Sequence, residues 1–391
     1  SLNIPGAMAL ASTRDLELSK RLNYANGRIL RDLGFHINLA PVLDVNNEAE
    51  NPVIGIRSYS DQPEMVAEFG VAAIKALQES GIIASAKHFP GHGDTNVDSH
   101  LGLPRVAKPR EELEHVELLP FRRAVDADVK AIMTSHILFP ALEPDNLPAT
   151  MSRRILTGLL REEMGFAGLI LSDCMEMDAI AREYGTVQGG LKAFAAGVDL
   201  LFISHTLETA AETFEACLAA YENDELSLDE MEASCARIAQ AKAQFQPSEL
   251  KAADKEDYRM LIQSAMPQTF CVKPQAKAIQ DFPIDERTVV LGPKPQRVSN
   301  VGNKDQDKIL FSKVLSKAFG GLKSFETSIE PSEKEIAEVL EATKQASSII
   351  LGTYNAHTHL GQKKLIKALE QSGKKLLVVA LRNPYDLMEV E

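Results

Sequence analysis

Residues 168–173, GLILSD, carry the pattern from which the fold is read: a short apolar run that stops on a hydroxyl and a carboxylate, Ser172 and Asp173. The same grammar recurs in residues 35–44 (FHINLAPVLD), 82–88 (IIASAKH), 129–136 (VKAIMTSH) and 198–204 (VDLLFIS), each ended by a polar or charged residue. Between these runs apolar residues fall three and four apart, as at Leu22, Ala25, Ile29 and Leu33, and at Val66, Ala73, Ile74 and Leu77. That spacing belongs to amphipathic helices. Strand–helix alternation implies parallel strands joined by crossover helices, and nearly continuous apolar strands imply a sheet covered on both faces. A parallel barrel builds its active site from the loops at the C-terminal strand ends, whereas an open doubly wound sheet binds ligands near one switch point. Five consecutive polar-ended strands favour the barrel. The expected fold is α/β, a (β/α)8-type TIM barrel with its first strands missing, followed by a smaller αβα sandwich domain. A fragment with two open sheet edges is expected, the second domain being cut short as well.

Downstream, residues 207–245 read as Ala- and Glu-rich helix, with SLDE at 227–230 spaced as a capping box. Residues 246–286 mix Pro, Lys, Asp and Gln and read as a linker with a helix in its middle. Alternation then restarts with TVVLG (288–292), a helix around 313–318, SIILG (348–352), a helix around 363–371 and a strand at 375–381. The expected division is therefore a partial barrel over 1–245, a linker over 246–286 and a partial sandwich over 287–391.

Composition narrows the partners. The 391 residues are 45% hydrophobic and 25% charged, an ordinary globular make-up. Forty-two Lys and Arg against fifty-five Asp and Glu leave −13, which repels phosphate backbones and anionic lipid, so neither nucleic acid nor a membrane surface is expected as a partner. No run approaches the ~20 apolar residues of a bilayer span. Cys174, Cys217, Cys235 and Cys271 are scattered without a CxxC, against both a zinc ribbon and a disulfide framework. With no basic-then-apolar leader visible, a cytoplasmic location is expected, or a secreted or wall-associated one if a leader precedes residue 1.

The chemistry concentrates in residues 87–100, KHFPGHGDTNVDSH, with three His, two Asp and one Lys among glycines and a proline. Such density after a strand marks an irregular functional loop. Three readings stand open there. One is a solvated loop with a helix cap at Asp98 or Ser99. Another is a metal site drawn from His88, His92, Asp94, Asp98 and His100, although no HxH or HExxH spacing fixes its geometry. The third is proton transfer, with Asp98 two residues from His100 to orient the ring and stabilise its charged form. Asp173 reads either as the cap of a following helix or as a nucleophile or electrostatic partner across the pocket. Further strand ends supply Asp44, Arg57, Lys87, His88 and His136, a set of donors and acceptors suited to an uncharged polyol. The chain has no Trp, so Phe89 or Tyr59 would have to supply any aromatic face. Met175 and Met177 are expected to pack, and Glu176 to stand exposed on the next helical turn.

Several long motifs, in order, resemble glycoside hydrolase family 3 in its β-N-acetylglucosaminidase (NagZ-type) branch. They are NLAPVLDVN (38–46), NPVIGIRSYS (51–60), KHFPGHGDTNVDSHLGLP (87–104), MTSH (133–136), LLREEMGFAGLILSD (159–173) and LRNPYD (381–386). The resemblance implies a retaining, exo-acting hydrolase of terminal β-linked N-acetylglucosamine, typically from cell-wall fragments, with no metal and no organic cofactor. It implies Asp173 as nucleophile, His100 as acid/base with Asp98 orienting it, and Arg57, Lys87 and His88 as sugar contacts. Asp44 and His136 join the expected substrate-binding set from their strand-end positions. The chain departs from the pattern at its start: a DQEGG-type strand end, which supplies a sugar-binding Asp, is expected ahead of PGAMAL (5–10). The alternatives are a family 3 β-glucosidase, a phosphorylase using the same loop, a metal-dependent barrel hydrolase, and a non-catalytic sugar-binding fragment.

Overall fold

The computed structural model describes residues 4–95, 103–244, 251–273, 279–294 and 310–390. Two compact units divide the chain, residues 1–270 and 271–391.

In the first unit five strands, β1 (Ile37–Asn38), β2 (Ile83–Phe89), β3 (Ala131–Thr134), β4 (Leu169–Cys174) and β5 (Leu200–Phe202), form one parallel sheet in the order of the sequence. The sheet has no reversal of order, so each crossover helix lands on the same face and the strand ends gather along one rim. This is the arc of a barrel, as the five polar-ended runs predict. The register is regular in mid-sheet, with Ile132 opposite Ile170. It breaks at the rim, between Lys87 and Phe89 on β2 and between Leu171 and Cys174 on β4. Irregular register re-aims side chains at a sheet edge, and here the residues so re-aimed are His88 and Asp173.

Both faces of the arc are covered. Leu43, Ala84, Ala86, Ile132 and Ile170 pack beneath Phe69, Ile74 and Leu77 of the helix Pro63–Glu79 and Phe121 of the helix Leu118–Asp126. Leu169, Leu171 and Met133 face Ile238 and Ala241 of the helix Leu228–Ala243. That helix begins where the SLDE spacing predicts, the Ser227 hydroxyl accepting from the Glu230 amide at 3.3 Å. The helix Ala252–Ala265, within the stretch read as linker, packs Ile262 and Ala265 against Leu10, Leu18 and Leu22. Among the described residues no helix is long and apolar enough to cross a membrane.

The second unit is a four-stranded parallel sheet, β6 (Val289–Pro293), β7 (Lys323–Thr327), β8 (Ser348–Thr353) and β9 (Lys375–Ala380), in the order β7-β6-β8-β9. Alternate residues of β6 and β8 point to opposite faces. Val289, Leu291, Ile349 and Leu351 meet Ile336, Leu365 and Leu369, and Val290 and Ile350 meet Phe311 and Leu315. Helices thus cover both sides, giving the expected sandwich. Residues 323–327 (KSFET) were not expected as a strand, because two charges and two hydroxyls dilute a five-residue run.

Candidate active site

The rim of the first unit is organised around Asp44, which is fully buried. Its Oδ2 accepts from His88 Nδ1 at 2.7 Å, and its Oδ1 from the backbone N–H groups of His88 and His92 at 3.1 and 2.7 Å. Burial alone would raise the Asp44 carboxyl, but the His88 ring, its hydrogen bonds and His92 outweigh it, so the pKa lies below the usual range. Asp44 therefore reaches the site through His88 rather than at the pocket surface. Because the carboxylate takes the Nδ1 proton, Nε2 of His88 faces outward, 4.0 Å from Asp173 Oδ2. That gap is too long for a hydrogen bond and wide enough for a bridging hydroxyl. Burial pushes the His88 pKa down, with Asp44 opposing and Arg57 and Lys87 adding to the depression.

Asp173 is the penultimate residue of β4, with its side chain 28% exposed. It does not cap a helix: the next helix, Asp178–Ala181, is preceded by Met177, and Asp173 Oδ1 accepts from the Cys174 amide at 2.7 Å. Partial burial would raise its carboxyl, yet His88, His136, the Cys174 amide and Lys87 together hold the pKa below the ordinary value. A carboxylate that is ionised, accessible and held by one backbone donor suits nucleophilic attack. His136 is buried, with Nδ1 2.9 Å from the Thr150 hydroxyl and Nε2 donating to the Cys174 carbonyl at 3.0 Å. It ties the end of β3 to the end of β4, immediately behind Asp173. Lys87 precedes His88 across a cis peptide bond, and its pKa falls to about 8, first through burial and then through the Arg57 charge, against the pull of Asp173 and Asp44. Arg57 is half-buried at the end of the short helical turn Gly55–Arg57 and donates to the Val53 carbonyl at 3.2 Å.

Asp98 and His100 lie outside the described residues. The segment leading to them is tightly built. Asn51 Oδ1 accepts from the amides of Val53 and Ile54, and its Nδ2 donates to the carbonyls of His92 and Gly93, both at 2.9 Å. One side chain thus joins the Arg57 loop to the His92 loop. At Gly93 a Cβ would stand 1.6 Å from the Val45 carbonyl oxygen, so only glycine fits there. His92 is buried with Nδ1 2.9 Å from the Thr95 hydroxyl; burial and the neighbouring His88 depress its pKa to about 4. Lys108 bridges Asp94 at 3.1 Å and buried Glu117 at 2.7 Å.

The structure therefore gathers Asp44, Arg57, Lys87, His88, His136 and Asp173 at one rim. Among the described residues the His88, His92 and Asp94 donors do not converge as metal ligands. Phe89 and Tyr59 are core residues, packed on Phe121 and Phe69, and offer no face to a ligand. Met175 and Met177 pack, as expected. Glu176 is not exposed on a helix but half-buried in a turn, accepting from the His205 amide. Sequence reasoning passed over Asn51, although an Asn before Pro is a turn signal, and over Lys108, which nothing in the spacing singles out.

The fold and rim define a parallel α/β barrel arc with its polar residues at the C-terminal strand ends. Residues 2–241 match the glycosyl hydrolase family 3 N terminal domain, and the chain belongs to that family. It is 39% identical over 241 residues to a beta-hexosaminidase A of Pseudoalteromonas piscicida, covering 57% of this chain and 40% of that protein. It is 35% identical over 198 residues to a beta-hexosaminidase of Nitrosomonas eutropha, covering 50% of this chain and 56% of that protein. The chain thus spans about half the length of these curated relatives. A solved family 3 beta-N-acetylglucosaminidase from Paenibacillus sp. FPU-7 superposes with a TM-score of 0.88 at 35% identity, over 99% of this chain and 75% of that one. The parallel arc is accordingly TIM-barrel architecture carrying a second α/β domain.

Proposed function

We propose that the protein is a retaining exo-β-N-acetylglucosaminidase in which Asp173 attacks the anomeric carbon of a terminal β-linked N-acetyl-hexosamine. The observation that carries this reading is the placement of Asp173: an ionised carboxylate at a strand end, 4.0 Å from an outward-facing His88 Nε2. Attack forms the bond from the Asp173 oxygen to the anomeric carbon as the bond to the leaving oxygen breaks, giving a covalent glycosyl-enzyme. His100, oriented by Asp98, gives its proton to the leaving oxygen. It then takes one from the water that releases the sugar. An imidazole serves near neutrality without a carboxyl of raised pKa. Lys87, Arg57 and His88 would hold sugar hydroxyls, with Asp44 and His136 fixing their frame. The names of the curated relatives support the substrate class. A muropeptide source and a role in cell-wall recycling, in the cytoplasm, complete the proposal; four free thiols fit a reducing compartment.

The test is an assay of the intact protein on a chromogenic N-acetylglucosaminide beside the matching glucoside, each with and without phosphate. Hydrolysis of the first, with release of free sugar, is expected. Turnover of the glucoside alone, or strict dependence on phosphate, would overturn the assignment. A 2-fluoro-sugar adduct mapped by peptide mass spectrometry should fall on Asp173.

A further inference from the structure

The rim holds a second cluster just beyond Asp173. Cys174 closes β4, Glu176 lies in the turn that follows, and His205 stands past the end of β5. A thiol, a carboxylate oxygen and an imidazole nitrogen from these three lie within 4.8 Å of one another. Adjacent parallel strands bring the two loops together, and the His205 amide, donating to Glu176 Oε2 at 2.6 Å, locks them. The Thr206 hydroxyl and the Ser204 amide also donate to this carboxylate, which with about four acceptor positions keeps one for a cation. The Cys174 thiol is in no disulfide. Cys174 and Glu176 are half-buried and His205 is exposed, so a cation can enter from solvent and keep water in its remaining position.

We propose that Cys174, Glu176 and His205 form a site for a borderline-soft divalent cation of the zinc and cobalt class. Thiolate and imidazole select such ions, whereas magnesium and calcium demand oxygen ligands throughout. Binding displaces the thiol proton to solvent, so affinity rises with pH. The site is coupled to the one next to it. The Cys174 amide donates to Asp173 Oδ1 at 2.7 Å, and the Cys174 carbonyl accepts from His136 at 3.0 Å. A metal that clamps Cys174 therefore restrains Asp173 and stands beside it as a positive charge. On the reading that Asp173 is the nucleophile, this lowers its reactivity and makes the ion an inhibitor.

Cobalt(II) alone, titrated into reduced, chelator-stripped protein, reports thiolate ligation by a sulfur-to-cobalt charge-transfer band, independently of turnover. One equivalent with that band is expected. The band should vanish in Cys174→Ser, and the affinity should fall at least about tenfold in His205→Ala, an exposed position where folding is not at risk. Absence of the band, its survival in Cys174→Ser, or unchanged affinity in His205→Ala overturns the site. Zinc should slow turnover several-fold, with recovery on adding chelator and much weaker inhibition in His205→Ala. A cobalt band with zinc-insensitive turnover overturns the coupling to Asp173. A metal-free protein without glycosidase activity overturns the functional reading instead, and the spectrum still decides the site.

Discussion

Asp44 in the first unit and Asp386 in the second hold a histidine in the same way. Asp44 accepts from the His88 ring at 2.7 Å and the His88 amide at 3.1 Å, with the His92 amide as a third donor. Asp386 accepts from the His357 ring at 2.8 Å and the His357 amide at 3.2 Å, with the Thr353 hydroxyl as a third. Both carboxylates are fully buried. The difference lies at the other edge of each ring. His88 turns Nε2 toward Asp173 at an open rim, whereas His357 packs edge-on to Tyr385 with ring centroids 5.8 Å apart. The same local hydrogen bonding serves a pocket in one unit and a protein interior in the other. A buried His–Asp pair is therefore no sign of catalysis until the second nitrogen is accounted for.

The comparison can be broken most severely at Asp173. Asp173→Asn should lower turnover by about four orders of magnitude while the thermal midpoint of the first unit stays within a few degrees, read by calorimetry beside the kinetic assay. Next come the paired substitutions Asp44→Asn and Asp386→Asn. Each leaves three donors facing a weaker acceptor, so each should destabilise its own unit by about 3 kcal/mol. Only Asp44→Asn should also cut turnover, by about a hundredfold, through misplacement of His88. Equal activity losses from the two would dissolve the distinction drawn here.

The pH dependence sharpens the contrast further. His92 titrates near 4 in the folded chain against 6.5 unfolded. Above 6.5 both states are neutral and nothing changes; as pH falls from 6.5 toward 4 only the unfolded chain takes up the proton, so stability drops. The loss is on the order of 3 kcal/mol when complete, and His92→Asn should flatten that part of a chemical-denaturation profile. The smallest effect concerns Lys87, with its pKa of about 8. Substrate binding should weaken as pH rises through 8 and the ammonium is lost, and this alkaline limb should be absent from KM profiles of Lys87→Met.

The strand runs were legible because parallel strands covered on both faces must be apolar along their length, and each of the five runs overlaps one of β1 to β5, with β2 and β4 running one residue further. The rim residues were legible because a polar residue ending such a run must face a loop. Asp173 and His88 could be located this way, but their aim could not, since it comes from register breaks that sequence periodicity does not encode. Asn51 and Lys108 escaped because their partners, His92, Gly93, Asp94 and Glu117, are distant in sequence or carried by backbone atoms. The strand Lys323–Thr327 escaped for a different reason: its inward residues are few, and Lys323 and Glu326 place charges within five residues.

Asn51 has one more consequence. A single amide fastens the loop bearing Arg57 to the loop bearing His92 and Gly93, so the two segments are held as one mechanical part. Anyone exchanging either between relatives to alter sugar preference should transplant both together, since a chimera that carries only one strands the amide among mismatched backbones.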